Sequence, residues 1–315
     1  MHPEAIYARE IKLAIRYAAH EAPDGTLERF VEPWPECLQQ WFILRVDGVD
    51  WVGRKFLSRK GGSWNISSLL RPWMLLGRWQ GMRFTDKGVV FYYLSASMAE
   101  CGNVFARATV DASARVSFPF PQLDPQWREY IMPDTAWAGE EAFAQKLDAN
   151  EAHFRAHAVN VLKKRLKPGG LIYDPACSSG AFIDHVACAF SESPCIGSDR
   201  SASMIDWARS KVRATNLALH TADAASPACP AASCDALIVR FLNVEVVHSD
   251  TAEALLRALR DLLAPGGTLL VFGHTPVVLE LPYLASLLRL RLITSIAARE
   301  EHEELFEFYV LEAIA

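Results

Sequence analysis

No stretch of this 315-residue chain reaches the roughly 18 consecutive apolar residues that a membrane-spanning helix needs, so no membrane partner is expected. The opening MHPEAIYAREIKLA has charges where a secretory leader needs an apolar core, and no leader is expected either. Seven cysteines, at positions 37, 101, 177, 188, 195, 229 and 234, include no C-x-x-C pair. An odd number without metal-ligand spacing is the pattern of reduced thiols in a cytoplasmic protein. Positive charge is in deficit: 32 lysines and arginines face 37 aspartates and glutamates, for a net charge of −5. That balance argues against nucleic acid as a partner. The basic stretch RKFLSRK (residues 54–60) is interrupted and reads as a solvated face. Two glycine signatures are also missing, G-x-G-x-x-G for dinucleotides and G-x-x-x-x-G-K-[ST] for nucleotide phosphates.

What is there is 51% hydrophobic and 22% charged, the make-up of a globular protein with room for two cores. Residues 1–134 form one region, with Trp41, Trp51, Trp64, Trp73 and Trp79 among its many aromatics. Residues 4–20 predict an amphipathic helix, since Ile6, Ile11, Leu13, Ala14 and Tyr17 fall near helical spacing. WFILRVDGVDWVGRKFL and GVVFYYLSASM predict strands or short helices around turn signals at Asp47-Gly48 and Lys87-Gly88. A proline-rich bridge over 117–134 leads into a second region, 135–315. That region opens with a long predicted helix over 139–166. His153 and His157 stand four apart on it; with no Glu beside His153, they read as a solvated face before metal ligands.

The second region then alternates. Strands are predicted near 171–174, 195–199, 217–221, 236–241, 268–272, 289–297 and 305–313, with helices between the first six. A helix between successive strands implies parallel pairing with both faces of the sheet covered. The short link between the last two strands forces an antiparallel hairpin. The expected fold class is α/β: a Rossmann-like, seven-stranded, doubly wound sheet ending in an antiparallel hairpin, preceded by an aromatic-rich N-terminal domain.

Within this pattern, LIYDPACSSGAFIDH (residues 171–185) carries the most information. An apolar run ends in Asp174, turns through small residues to Gly180, and enters a helix, the arrangement that offers backbone N–H groups to a polar ligand. A second run, CIGSD, ends in Asp199, and in a βαβ unit both acids reach the carboxyl edge of the sheet one strand apart. The second acid is placed to hold two ribose hydroxyls. PACSSG has no lysine for phosphates, which suits a ligand charged through an amino acid and a sulfonium. LHTADAASP with Asp223, CDALIVRFLNVEVVH and LLAPGGTLLVFG follow in order.

This succession resembles a class I S-adenosylmethionine-dependent methyltransferase over residues 169–315. The resemblance implies S-adenosyl-L-methionine as cofactor and a small molecule as acceptor. It places Asp174 near the methionine end with Ala176, Cys177 and Gly180 in the turn, and Asp199 and Arg200 at the ribose. Asp223 and Ala224 fall at the adenine with Met204 packing on the ring, and Arg240 at the end of the fourth strand. It also implies a lid and homodimerisation role for residues 1–134. Each acid alone would serve equally well as a helix cap, as Asp199 precedes a predicted helix near Ser201.

The acceptor is less legible. Enzymes that methylate planar nitrogens of bases or glutamine carry [DNS]-P-P-[YF] after the fourth strand, whereas this chain reads Arg240-Phe241-Leu242-Asn243. Two readings stay open. In the first, the chain methylates O or N of a small metabolite, with His248 as general base near neutral pH. In the second, the resemblance extends to metal-dependent methyltransferases of α-keto acid carbons. His248 and His302 would then hold a divalent or iron metal ion, and Arg240 would pair with the substrate carboxylate. His274 follows the fifth strand, and the acids around His302 equally suit a solvated hairpin. From another class, a nucleoside-binding scaffold without catalysis would carry the same motifs.

Overall fold

The computed structural model describes residues 3–19, 23–34, 37–60, 63–133, 151–299 and 303–314. The chain divides into two compact units. The first comprises Met1–Tyr130, His274–Pro276 and Thr294–Glu307; the second comprises Ile131–Gly273, Val277–Ile293 and Phe308–Ala315.

In the first unit, α1 (Pro3–Ala18) precedes β1 (Leu27–Pro33), β2 (Trp41–Val46), β3 (Val49–Arg54), β4 (Leu57–Lys60), β5 (Ser63–Ile66), β6 (Leu69–Leu70), β7 (Leu75–Thr85) and β8 (Gly88–Ser95). Helix α2 (Met98–Ala108) and β9 (Arg115–Ser117) follow. Six strands form an antiparallel sheet in the order β1-β8-β7-β3-β2-β9. The undecided segments of the sequence are therefore strands. Asp47 and Gly48, at φ of 51° and 75°, make the tight β2–β3 turn, whose left-handed pair matches the twist of the flanking strands. Leu13, Ala14 and Tyr17 of α1 pack on the core with Phe42, Leu44 and Phe105. Beneath them Arg54 is fully buried, bonded to Glu10 at 2.7 and 2.8 Å and to Glu32 at 2.6 and 3.2 Å.

The second unit holds α3 (Ala152–Arg165), β10 (Ile172–Asp174), α4 (Ala181–Ala189), β11 (Cys195–Asp199), α5 (Ala202–Lys211) and β12 (Leu217–Thr221). Then come β13 (Cys234–Val239), α6 (Ser249–Arg260), β14 (Leu263–Val271) and α7 (Leu281–Leu287). The strands β15 (Leu290–Arg299) and β16 (Glu304–Ala313) close the order β12-β11-β10-β13-β14-β16-β15. The first five pair in parallel, and β16 runs antiparallel to β14. Strand order reverses between β10 and β13, the switch point at which ligands of open α/β sheets bind. Leu237, Val239, Leu269 and Val271 are wholly buried, as expected of parallel strands covered on both faces.

Two expectations change. No helix joins β12 to β13; residues 222–233 are turns. Pro227 and Pro230 remove two amide donors there, Ala232 takes a φ of 53°, and the buried Cys229 anchors the loop instead. The long helix expected over 139–166 is described as α3 from Ala152 on, and residues 139–150 lie outside the described residues.

Candidate active site

The first turn keeps a tight path although serines replace glycines. Ser178 takes a φ of 51° and Gly180 one of 75°. A side chain pays for the first of these, and the Ser178 N–H donates to Asp199 Oδ2 at 2.9 Å, which holds it there. At Gly180 a Cβ would lie 2.9 Å from the Ala208 Cβ, so glycine also lets α4 approach α5. Cys177 folds inward, its Sγ 3.1 Å from where a Gly197 Cβ would be, while its N–H donates to the Ser198 carbonyl at 2.8 Å. Burial pushes the Cys177 thiol well up, so it is no nucleophile at neutral pH.

Three acids close three neighbouring parallel strands. Asp174 ends β10, Asp199 ends β11, and Asp223 lies two residues beyond β12. Asp199 accepts from the Ser178 and Ser201 amides at 2.9 Å each, and its carbonyl accepts from the Ala222 N–H at 3.0 Å. The loops after all three strands are thereby tied to one edge. Asp223 is exposed and accepts from the Ala225 N–H at 2.8 Å. Ala176 and Ala224 are half-buried, Arg200 is exposed, and Met204 is buried on the first turn of α5.

Arg240, just past β13, is the hub. Its Nε donates to Asp174 Oδ2 at 3.3 Å, Nη1 to Glu151 Oε1 at 2.6 Å, and Nη2 to the Cys177 carbonyl at 3.4 Å. Its guanidinium lies 4.7 Å from the Phe182 ring centre. All three nitrogens are engaged, so Arg240 braces the turn and links two acids. Glu151, on the segment leading into α3, escaped the sequence reading because no motif surrounds it. Arg155 also pairs with Glu151, at 3.8 Å, so two guanidiniums balance the two carboxylates of this cluster.

His248 is exposed at the N-terminus of α6 with no side-chain cap bond. His274 groups with the first unit, and His302 lies outside the described residues. Among the described residues no group of three or more His, Cys, Asp or Glu could hold a metal. His157 is not on a solvated face: its ring packs edge-on at 4.7 Å from Phe308, and burial with the nearby Lys164 lowers its pKa to about 4.

A family model described as a methyltransferase domain matches residues 172–267. Isonocardicin synthase of Nocardia uniformis subsp. tsuyamanensis is 31% identical over 275 residues, covering 85% of this chain and 88% of its own. The chain belongs to the class I S-adenosylmethionine-dependent methyltransferases. A SAM-dependent methyltransferase of Aquifex aeolicus aligns over 56% of this chain and 100% of its own, at 15% identity and a TM-score of 0.45. Magnesium protoporphyrin IX methyltransferase of Synechocystis PCC 6803, solved with bound SAM, aligns over 57% and 90%, at 18% identity and a TM-score of 0.43.

In this methyltransferase, burial and the Arg240 guanidinium pull against each other at Asp174. Burial raises its pKa from 3.8 to about 6, against the opposing pull of Arg240. The folded pKa exceeds the unfolded one, so its contribution to stability is fully present below about pH 4 and is lost as pH rises through about 6. Above that the ionised carboxylate costs about 3 kcal/mol. Asp174→Asn should therefore raise the thermal midpoint at pH 8 by about 6–12 °C while leaving it nearly unchanged at pH 4. Circular dichroism melts at the two pH values check this, and a lower midpoint at pH 8 would mean that the bond to Arg240 outweighs burial.

Proposed function

We propose that this methyltransferase moves the methyl group of S-adenosylmethionine to a small molecule, and that its second unit holds the donor along the carboxyl edge of β12, β11 and β10. The observation that carries this reading is the succession of Asp174, Asp199 and Asp223 after three adjacent parallel strands. Asp199 would accept from the ribose hydroxyls and Asp223 from the adenine amino group. Asp174 and Glu151 would face the amino acid end of the donor. The turn fits such a group because Ser178 and Gly180 hold it back from the sheet edge in left-handed conformations.

When bound, the donor supplies a methyl group already activated on sulfonium. The chain's own residues need only place a nucleophile in line and, where it is protonated, take its proton. His248, exposed at the N-terminus of α6, is the base for an oxygen or nitrogen acceptor in this reading. The metal-assisted reading keeps the same donor site and adds His302 to His248. Activity that survives a chelator, together with a fully active His302→Ala variant, removes it.

Titration calorimetry with S-adenosylmethionine tests the donor assignment. Asp199→Ala should weaken binding by about 1–3 kcal/mol, the cost of hydroxyls left without their acceptor. Unchanged affinity would refute the ribose role. The relative is named for making isonocardicin, so the transferred group is best read directly by mass. An acceptor heavier by one methylene unit supports methyl transfer. A larger fragment of the donor on the acceptor would replace methyl transfer with transfer of another sulfonium arm, and would leave the donor site as drawn.

A further inference from the structure

A cleft of about 330 Å³ lies in the first unit between one face of α1 and strand β1, within the size range of small-molecule sites. None of the residues of the candidate donor site lines it. Helix α1 lines it with Leu13, Arg16 and Tyr17, at the spacing that brings side chains to one helix face. Strand β1 contributes Glu28 and Phe30, which share a sheet face, and the cross-strand partner of Glu28 is Tyr93. The rings of Tyr17 and Phe30 stand 6.1 Å apart, and the Tyr93 hydroxyl donates to Glu28 Oε2 at 3.4 Å.

The charges of this cleft are arranged unlike those of its neighbourhood. Arg54, Glu10 and Glu32 beneath it are locked to one another by short bonds. Arg16 and Glu28 both act electrostatically on Tyr17, from opposite signs. Yet they form no salt bridge with each other, and neither has another ion-pair partner among the described residues. Arg9, Arg29 and Glu32 also line the cleft, but Arg16, 5.9 Å from the Tyr17 ring centre, and Glu28, bonded to the Tyr93 hydroxyl, set a guanidinium and a carboxylate over an aromatic floor, the complement of a zwitterion that carries an aromatic side chain. A carboxylate would take the Arg16 fork. An ammonium would lie against Glu28 and the ring faces. The side chain would pack on Tyr17, Phe30 and Leu13.

We propose that this cleft binds a free aromatic α-amino acid, with Arg16 holding its carboxylate and Glu28 its ammonium group. The test is calorimetry on the full chain with three probes: L-phenylalanine, 3-phenylpropionate, which lacks the amine, and 2-phenylethylamine, which lacks the carboxylate. L-phenylalanine should bind saturably, and each single-charge probe about tenfold or more weakly. Arg16→Gln should bring L-phenylalanine down to the affinity of 2-phenylethylamine, and Glu28→Gln to that of 3-phenylpropionate. Both side chains reach solvent, so thermal midpoints should match the parent. Leu13→Trp, which fills the cleft, should remove binding of all three. No saturable binding of L-phenylalanine to the parent chain overturns the proposal, and so does an affinity that neither charge substitution changes.

Discussion

Arg240→Ala should lower the thermal midpoint of the second unit by roughly 6–20 °C. The guanidinium reaches Asp174, Glu151 and the Cys177 carbonyl at once, and both acids are almost wholly buried. Removing it leaves Asp174 without its cation and Glu151 with Arg155 alone, at 3.8 Å, a loss of about 3–5 kcal/mol when one partner of a buried pair is deleted. A unit of this size shifts by about 2–4 °C per kcal/mol. The damage should be largest above pH 6, where Asp174 is ionised in the intact protein, and should shrink in acid as the carboxyl takes up a proton. Adding Glu151→Gln to Arg240→Ala should recover part of the loss, because a second buried negative charge no longer acts on Asp174. Melts of the single and double variants at pH 5 and pH 8 check the whole cycle. A loss within the scatter of surface substitutions, about 0.5 kcal/mol, would mean that the network carries no strain-free bonding of the kind described.

Arg54→Met should be as severe in the first unit, and by the same physics. Arg54 has no exposed surface, and its nitrogens are shared between Glu10, Glu32 and the Lys55 carbonyl. Glu32 also accepts from Trp41 Nε1 at 3.0 Å, so the network ties α1, β1, β2 and β3 together. Methionine fills much of the volume but leaves two buried carboxylates, again about 3–5 kcal/mol. Replacing the ions as a set, with Glu10→Leu, Arg54→Met and Glu32→Gln, keeps an acceptor for Trp41 and should restore most of the stability. Chemical denaturation followed by tryptophan fluorescence separates the two outcomes. If the triple variant is as unstable as the single one, lost packing and not stranded charge is responsible.

Much of the second unit could be read from the sequence because each strand there is an apolar run with an acid or a turn at its end. The runs ending at Asp174 and Asp199 became β10 and β11 with those acids as their last residues. The helix expected between β12 and β13 from the alternation alone is absent because Pro227 and Pro230 deny a helix its donors. Glu151 was invisible for a different reason. Its partner Arg240 is 89 positions away, and no local pattern marks a pairing at that range. His157 misled because four-residue spacing says which side chains share a face, not whether Phe308 covers that face. In the first unit, Asp47-Gly48 announced its hairpin. The signal for α2 was also present, since Ser97 accepts from the Glu100 amide in the pattern of a capping box, with Glu100 in the first turn.

The central claim is that the loops after three neighbouring parallel strands share one nucleoside-containing donor. A crystal structure of the chain with S-adenosylhomocysteine measures this directly. The account predicts the ribose hydroxyls on the Asp199 carboxylate, the adenine amino group beside Asp223, and the amino acid end toward Asp174 and Glu151. Density for the nucleoside anywhere else, or a ribose that leaves Asp199 bonded only to the Ser178 and Ser201 amides, would contradict it.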